Sequence, residues 1–253
     1  MLSHGVSSYQ LIEPSAGNGS FLFDGVDGYD LHPEHTAVVQ NDFLCDQSTS
    51  ALMRTYKNPI FIGNPPFGVK SKLVIDFIKQ ALKYWKYAGF IVPVQLRKFL
   101  TQNRLPANFR LILDDDLPED SFTFCGKDYA IRCCFQVWTT TDNGEDLRIR
   151  TKPSTTHADF RIEQHNATNA SVHLLSSNFS FATYRQGYHD YNQLLHSTDE
   201  LNPKRQYVFF YTSDSDVLSR LKSIDFTKLA MRNTSTPGFG KADLVAEYVR
   251  LWG

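Results

Sequence analysis

The stretch Asn64-Pro65-Pro66-Phe67 has the residue types in this sequence that are best suited to chemistry. It follows an apolar run at residues 59–62, which indicates a short buried strand closed by a Gly/Pro breaker. Two consecutive prolines lack backbone donors and fix φ, so a stiff loop is expected after the strand. This loop offers an amide oxygen, free carbonyls and an aromatic ring, which together suit a flat ligand carrying an amino group. An ordinary strand-ending turn explains the motif equally well when it is taken alone.

A second candidate site follows a short strand predicted at residues 9–12. It is the turn Glu13-Pro14-Ser15-Ala16-Gly17-Asn18-Gly19-Ser20-Phe21. Small residues in such a turn let backbone N–H groups approach a ligand closely, as in nucleotide-binding strand–turn–helix units. A single Gly-X-Gly is weak evidence, because most such sequences are only turns.

Two acids come after this turn, each at the predicted end of a short strand. Asp30 follows Gly28 and Tyr29, and an acid at the end of a second parallel strand commonly binds a ribose diol. Only eleven residues separate Gly19 from Asp30, against about 20 in the usual dinucleotide fingerprint. The intervening helix is therefore expected to have one to two turns at most, or to be absent.

The second acid, Asp42, precedes Phe43. Its carboxylate could accept a hydrogen bond from an adenine amino group while the Phe43 ring packs on the base. The alternative is a polar loop residue beside a core phenylalanine.

The elements that must position these residues alternate between strands and helices. Apolar residues recur with a helical period over residues 73–87, with lysines on the opposite face. Buried strands are predicted at residues 89–94, 109–113 and 129–138. The pattern predicts an α/β fold with a Rossmann-like, mostly parallel sheet and one antiparallel strand at its end.

Composition limits the other classes of function. The chain has 253 residues, of which 42% are hydrophobic and 21% charged, so it can bury a sizeable core. Its formal charge of −1 gives no overall field for a polyanion, so nucleic-acid binding would need a local patch. We expect a soluble, cytoplasmic protein, since we find no secretory h-region and no long apolar run. The four cysteines lack metal-type spacing, and reduced thiols are expected.

Residues 139–154 are polar and predict a domain boundary, with a first domain at 1–141 and a C-terminal α+β region at 151–253. The C-terminal region is rich in Tyr and Phe, most of which we assign to its core. Arg185, Lys204 and Arg205 lie among these tyrosines and could contact or stack on bases.

The order of the parts, from glycine turn to acid, acid-aromatic pair and Asn-Pro-Pro-Phe, resembles the adenosylmethionine-dependent amino-methyltransferases that methylate N6 of adenine or N4 of cytosine. The segment Glu13–Phe21 is similar to the cofactor motif of that family, and Asn64–Phe67 to its catalytic motif. The resemblance extends from about Tyr9 to Trp138. It implies a class I methyltransferase fold and adenosylmethionine as cofactor. The large C-terminal region favours double-stranded DNA as substrate, as in restriction-modification systems, with that region recognising the target.

The resemblance also implies roles for individual residues. Asn64 and the carbonyl of Pro65 would accept the two N–H bonds of the target amine, with Pro66 stiffening the loop and Phe67 stacking on a flipped base. The cofactor would be contacted by residues on four strand ends, namely Glu13, Pro14, Ala16, Gly17, Gly19, Asp30, Leu31, Asp42, Phe43 and Asn64. Phe122 or Phe124 would close the other face of the base. No metal is required.

Nine basic residues and one acid lie between Lys70 and Arg110, directly after the Asn-Pro-Pro-Phe loop. Lys70 and Lys72 are the candidates for phosphate contact, although a solvated helix face explains such a tract equally well.

Two features depart from the family pattern: the short spacing before Asp30, and only Met1–Ser8 before the first strand, where the family often has another cofactor-contacting segment. The leading hypothesis is a DNA adenine-N6 methyltransferase. The alternatives are an RNA adenine-N6 methyltransferase and a non-catalytic nucleic-acid-binding subunit that keeps the fold.

Overall fold

The computed structural model describes residues 9–118, 123–124, 127–128, 131–232 and 236–253. The chain divides into two compact units, Met1–Arg150 and Thr151–Gly253. Phe122, which the sequence suggested as a base contact, lies outside the described residues, as does the start of the strand predicted at 129–138.

The first unit contains a seven-stranded sheet with helices. Its strands are β1 (Gln10–Glu13), β2 (Val26–Asp30), β3 (Val39–Gln40), β4 (Pro59–Gly63), β5 (Tyr87–Pro93), β6 (Arg110–Asp116) and β9 (Cys133–Thr139), with a separate two-stranded pair of β7 (Thr123–Phe124) and β8 (Lys127–Asp128). Its helices are α1 (Asp46–Met53), α2 (Lys72–Tyr84) and α3 (Phe99–Gln102).

The strand order is β3-β2-β1-β4-β5-β9-β6. Strands β1 to β5 pair in parallel, whereas β9 runs antiparallel to both β5 and β6. This is the order of a Rossmann-like class I methyltransferase sheet, with its single antiparallel strand inserted next to the edge. The predicted α/β fold class is thus confirmed.

The core of the first unit forms between this sheet and α2. The helical period predicted for residues 73–87 corresponds to α2, whose Val74, Ile78 and Ala81 are buried. They belong to one apolar cluster with Phe61 on β4 and Trp138 on β9. The face of the sheet that packs on α2 therefore supports the loops at the carboxyl ends of the strands.

No helix connects β1 to β2; residues 14–25 form turns only. This agrees with the short spacing between Gly19 and Asp30. The carboxyl end of β1 is therefore joined to the start of β2 by a compact loop.

The polar segment at residues 142–150 packs on the rest of the first unit. The buried guanidinium of Arg148 donates to the carbonyls of Gln102 at 3.0 Å, and of Leu105 and Phe109 at 2.8 Å. Asp146 accepts the backbone N–H of Leu111 at 3.2 Å. These bonds explain why the unit extends to Arg150.

The second unit has a four-stranded antiparallel sheet in the order β10-β13-β11-β12. Its elements are β10 (Arg161–His165), β11 (Phe181–Gln186), β12 (Leu194–Leu195), β13 (Gln206–Tyr211), α4 (Ser215–Lys222), α5 (Phe226–Arg232) and α6 (Lys241–Trp252). Aromatic side chains fill its core: Phe181 stacks on Phe210 with ring centroids 4.3 Å apart, and both are fully buried.

Candidate functional site

The carboxyl ends of β1, β2, β3 and β4 meet at one edge of the first unit's sheet, because these strands are neighbours and run in parallel. Ligands of open α/β sheets bind at this edge. The glycine turn follows β1, Asp30 ends β2, Asp42 follows β3 and Asn64 follows β4. The fold therefore brings the four sequence-predicted parts to one edge.

A cleft of about 190 Å³ opens at this edge. It is lined by Pro14, Ser15, Asp30, Leu31, Asn41, Asp42, Phe43, Leu44, Pro66, Leu73 and Phe77. A cavity of about 150 Å³ holds a benzene ring, so this cleft can accept a flat ring system. Five predicted cofactor residues and Pro66 of the catalytic motif thus share one cleft.

Phe43 and Leu31 supply much of the apolar lining of the cleft. Phe43 is 3% exposed and packs on Phe61 and Phe77, with ring centroids 5.1 and 5.2 Å away. Leu31 is half exposed. A ring in the cleft would therefore meet a fixed aromatic edge and a more accessible aliphatic side chain.

Asp30 is held by backbone hydrogen bonds from both directions. Its Oδ2 accepts the N–H of Gly17 at 2.9 Å, and its Oδ1 accepts the N–H of His32 at 2.7 Å. A carboxylate has about four lone-pair positions, so each oxygen retains one for a ligand hydroxyl. The carboxylate is positioned to accept from a diol.

The glycine turn does not offer the free donors that the sequence suggested. The N–H of Gly17 is used by Asp30, and that of Gly19 donates to the carbonyl of Ala16 at 2.7 Å. Both glycines have positive φ, 48° and 81°, and a Cβ at Gly19 would lie 3.1 Å from the His35 ring. The turn is therefore closed on itself, and what it gives a ligand is room for close approach.

Glu13, at the end of β1, is 1% exposed and lies against the end of β4. A Cβ on Gly63 would lie 2.8 Å from Glu13 Cγ and Oε1, and the backbone N–H of Asn64 donates to the carboxylate. Burial raises the pKa of Glu13 to about 7, the Asn64 bond lowers it, and the charge of Asp30 raises it further. Glu13 thereby connects the glycine turn after β1 to the Asn-Pro-Pro-Phe loop after β4.

Asn64 and Pro65 present two acceptors without donors. Asn64 Oδ1 is buried and unpaired, and within the described ranges no group donates to the carbonyl of Pro65. An unpaired buried acceptor costs about 1–3 kcal/mol, and native proteins keep few of them.

All the buried side-chain polar atoms that lack a partner, among the residues the structure describes, belong to this edge: Glu13 Oε2, Ser15 Oγ, Asn41 Oδ1 and Asn64 Oδ1. Each follows or ends one of the parallel strands. Asn41 Oδ1 and Asn64 Oδ1 can only accept, so the cluster favours a ligand that donates hydrogen bonds.

Ser15 and Asn41 were missed as site residues by the sequence reasoning. Both line the cleft and both contribute an unpaired oxygen. The sequence does indicate both residues by their position, since Asn41 directly precedes Asp42 and Ser15 lies inside the glycine motif. A polar residue at a strand end next to a candidate ligand could have been included on that ground.

Beyond Asn64 the loop turns sharply into α2. Pro65 is buried and Phe67 is half-buried against the core of the first unit. Gly68, Lys70 and Ser71 have φ values of 66°, 52° and 59°. Left-handed backbone at two non-glycine residues stores strain, which is typical of functional loops.

The basic tract after this loop is partly neutralised by neighbouring acids. Lys72 pairs with Asp76 at 2.8 Å, and Arg97 makes an ion pair with Asp114 at 2.8 Å. Lys70 is exposed. The tract is therefore a weaker candidate for phosphate contact than its nine cations suggested.

The donor and acceptor inventory of the site fits adenosylmethionine. That ligand has a diol, an exocyclic amine and an ammonium group, which are hydrogen-bond donors, together with a sulfonium charge and a carboxylate that accepts. The site supplies carboxylates and unpaired oxygens for the donors, and an apolar cleft of ring size. Within the described ranges, we find no cluster of three His, Cys, Asp or Glu side chains arranged to hold a metal.

No protein-family model matches the chain. No curated protein matches it either. Among solved structures, a modification subunit assigned to a type I restriction enzyme of Vibrio vulnificus YJ016 is 13% identical, with a TM-score of 0.38; the match covers 53% of this chain and 41% of that one. A Thermoplasma acidophilum protein is 16% identical, with a TM-score of 0.33 and coverages of 53% and 76%.

The type IIL restriction-modification enzyme MmeI, solved in complex with DNA, is 11% identical, with a TM-score of 0.41 and coverages of 81% and 48%. This chain thus spans less than half the length of two of these proteins. Likeness at this level carries no conclusion on function. None of the helices in the described ranges is long and apolar enough to span a membrane.

Proposed function

We propose that this chain transfers the methyl group of adenosylmethionine to the N6 amine of an adenine in DNA. The observation that carries the proposal is the pair of unpaired acceptors in the loop after β4, Asn64 Oδ1 and the Pro65 carbonyl. They adjoin a ring-sized cleft whose acids suit a nucleoside.

The chain's own residues would hold the cofactor through the strand ends. Asp30 would accept from the ribose hydroxyls, Asp42 from the adenine amine, and Phe43 and Leu31 would pack on the ring. Ser15 and Asn41 would complete the set of acceptors. When bound, adenosylmethionine supplies an electrophilic methyl group on a sulfonium.

The acceptor pair acts on the amine. An exocyclic amine is a poor nucleophile while its lone pair is delocalised into the base. Asn64 Oδ1 and the Pro65 carbonyl would accept both N–H bonds, holding the nitrogen toward a tetrahedral geometry with its lone pair directed at the methyl carbon. The same oxygens would stabilise the positive charge that develops on nitrogen as it takes the methyl group, and one of its two protons would then be lost to solvent.

Adenine must leave the duplex to reach this loop, since the amine is paired inside DNA. Phe67 would stack on the flipped base. Its ring is half-buried against the core, so its position is fixed before the substrate arrives. Lys70 would contact the backbone near the flipped nucleotide.

The test is incubation with labelled adenosylmethionine and either DNA or RNA, followed by nucleoside analysis. We expect label in N6-methyldeoxyadenosine. Label only in N6-methyladenosine from RNA would replace the DNA proposal, and N4-methylcytosine would correct the base. No transfer to any substrate, together with no cofactor binding by calorimetry, would favour a non-catalytic subunit.

The acceptor pair is tested by Asn64→Ala. Loss of one preorganised polar group aimed at developing charge costs about 10²–10³-fold in kcat, so we expect a loss of that size with cofactor affinity retained. Asn108→Ala, which changes an exposed asparagine of the same unit, is the control. Unchanged turnover in Asn64→Ala would remove Asn64 from its role.

A further inference from the structure

One end of the second unit's sheet has an unusual stack of aromatic and basic side chains. The ring of Tyr188 lies 3.4 Å from that of Tyr184, centroid to centroid, with 12° between their planes. The guanidinium of Arg205 lies 5.5 Å from the Tyr188 centroid, and it donates to the carbonyl of Gly187 at 3.3 Å. Tyr184 is buried on β11, whereas Tyr188 is half-buried and Arg205 exposed.

Three cations gather at this end, and among the described residues none of them has a carboxylate partner within ion-pair distance. Lys204 and Arg205 are exposed in the turn before β13. Arg185 at the end of β11 is half-buried, and burial lowers its pKa, an effect that Asp243 partly opposes. Asp190 is the exposed acid of the loop between β11 and β12, and Asp199 and Glu200 are the exposed acids of the connection that carries Lys204 and Arg205. Asp243 acts on Arg185 without reaching ion-pair distance, so the positive charge at this end is only partly compensated.

The hydrogen bonds of Arg185 decide what kind of ligand this end can take. Its Nη1 donates to Asn166 Oδ1 at 2.8 Å and to Gln206 Oε1 at 2.7 Å. Both amide oxygens are thus used internally, and the amide NH₂ groups remain as donors. The end of the sheet consequently offers donors and positive charge, which fit a ligand rich in acceptors.

A second Arg–Tyr stack, at the other end of β13, shows what a structural version looks like. Arg161 lies 3.8 Å from the centroid of Tyr211, and its guanidinium is paired with Glu163 at 2.8 Å. The charge of that stack is neutralised within the protein. The stack of Arg205 on Tyr188 has no such acid, so its charge is available to a partner.

We propose that the surface formed by Arg185, Tyr188, Lys204 and Arg205 binds DNA. The inference rests on the proposed function for its choice of DNA as partner. Lys204 and Arg205 would contact phosphates, which dominate the affinity of such interfaces. Arg185 with the two amides would donate to acceptors such as the O6 and N7 edge of guanine. Tyr188, with its ring stacked on Tyr184 and the Arg205 guanidinium over it, would position Arg205 for that contact.

The experiment measures binding of the full chain to a fluorescent DNA duplex by anisotropy, without adenosylmethionine, over a series of salt concentrations. Arg205→Gln and Lys204→Gln should each reduce the slope of log K against log salt by about 0.9. Tyr188→Ala should weaken binding by about two- to fivefold, because Arg205 loses the ring that positions it. Arg161→Gln is the matched control and should change neither quantity.

Thermal unfolding of each variant shows whether it folds. Because Lys204 and Arg205 are exposed, their variants should fold and so keep the test valid if Tyr188→Ala is unstable. DNA affinity and slope unchanged in Arg205→Gln and Lys204→Gln would overturn the inference, as would equal losses in Arg161→Gln. Because binding is measured without turnover, its outcome is separate from that of the methyl-transfer assay.

Discussion

Gly63 is the residue whose substitution tests most directly whether the cofactor and catalytic motifs are coupled. Its φ is 140°, and a Cβ there would lie 2.8 Å from Glu13 Cγ and Oε1. Gly63→Ala therefore combines two costs: a backbone conformation that side chains rarely adopt, about 1–3 kcal/mol, and overpacking against a buried side chain, about 1–3 kcal/mol. We expect a loss of about 2–6 kcal/mol in the free energy of unfolding.

Gly25 provides the matched control for the backbone term. Its φ is 88°, and a Cβ there would meet nothing within 4 Å. Gly25→Ala should therefore show the conformational cost alone. The difference between the two variants, about 1–3 kcal/mol, is the cost of the clash with Glu13. At an m-value of about 2 kcal/mol/M it corresponds to about 1 M in the urea midpoint.

The assay is urea unfolding followed by tryptophan fluorescence, to which the fully buried Trp138 of the first unit contributes. Glu13→Ala removes the atoms that the new methyl group would strike. In the Glu13→Ala background, Gly63→Ala should thus lower the free energy of unfolding by no more than Gly25→Ala does. The cost that disappears, about 1–3 kcal/mol, is the coupling energy between positions 13 and 63. The reasoning is refuted if Gly63→Ala and Gly25→Ala are equally destabilising, or if the excess cost persists without Glu13.

Two further predictions concern the acids of the cofactor edge. Burial raises the pKa of Glu13 from 4.5 to about 7. Between pH 4.5 and about pH 7 the folded state therefore binds more protons than the unfolded state. The free energy of unfolding should accordingly fall as the pH rises through this range. Glu13→Gln should remove that slope in urea titrations at a series of pH values; an unchanged slope would assign it to another group. Asp30→Ala removes a charged acceptor worth about 1.5–3 kcal/mol, so calorimetry should show an affinity for adenosylmethionine about 10–100-fold lower. Asp24→Ala, which changes an exposed acid of the loop between β1 and β2, should retain the affinity.

Much of the first unit could be predicted because its elements have strong local patterns. The apolar run at 59–62 corresponds to β4, and the helical period at 73–87 to α2, which ends at Tyr84. The short spacing between Gly19 and Asp30 indicated correctly that little or no helix joins β1 to β2. These features depend on near neighbours in the chain.

Other elements were missed where local pattern is weak. Helix α1 was not predicted, and of its residues only Thr49 is buried, so it has almost no apolar stripe to recognise. In the second unit, no strand was predicted at β11, which contains Phe181 and Tyr184. The strand bulges after Tyr184, which breaks the alternation that a strand prediction needs.

The site was predicted by residue type but not by hydrogen-bond state. Sequence could place Asp30, Asp42 and Asn64 at strand ends. It could not show that the N–H groups of Gly17 and Gly19 are used inside the turn, or that Ser15 and Asn41 keep unpaired oxygens. Hydrogen-bond satisfaction depends on which partner the fold brings near, and that is set by pairing across the sheet.

This difference bears on which nucleotide-like ligand the edge can select. Dinucleotide sites recognise phosphate with free N–H donors of a glycine turn and of the helix that follows it. Here residues 14–25 form no helix, and the N–H groups of Gly17 and Gly19 already have acceptors. A phosphate would find few donors and would meet the carboxylates of Asp30 and Asp42.

A ligand with a diol, an amine and a positive charge meets the opposite situation, because the unpaired groups of the edge are acceptors. The same closed turn that weakens the case for a dinucleotide thus strengthens the case for adenosylmethionine. It also gives a reason for the short spacing between Gly19 and Asp30. Because no helix follows the turn, the carboxylate of Asp30 can accept a hydrogen bond directly from the N–H of Gly17, at 2.9 Å. Under the proposed function, the short loop and the acceptor-rich edge would together hold a cationic nucleoside beside the loop that accepts the target amine.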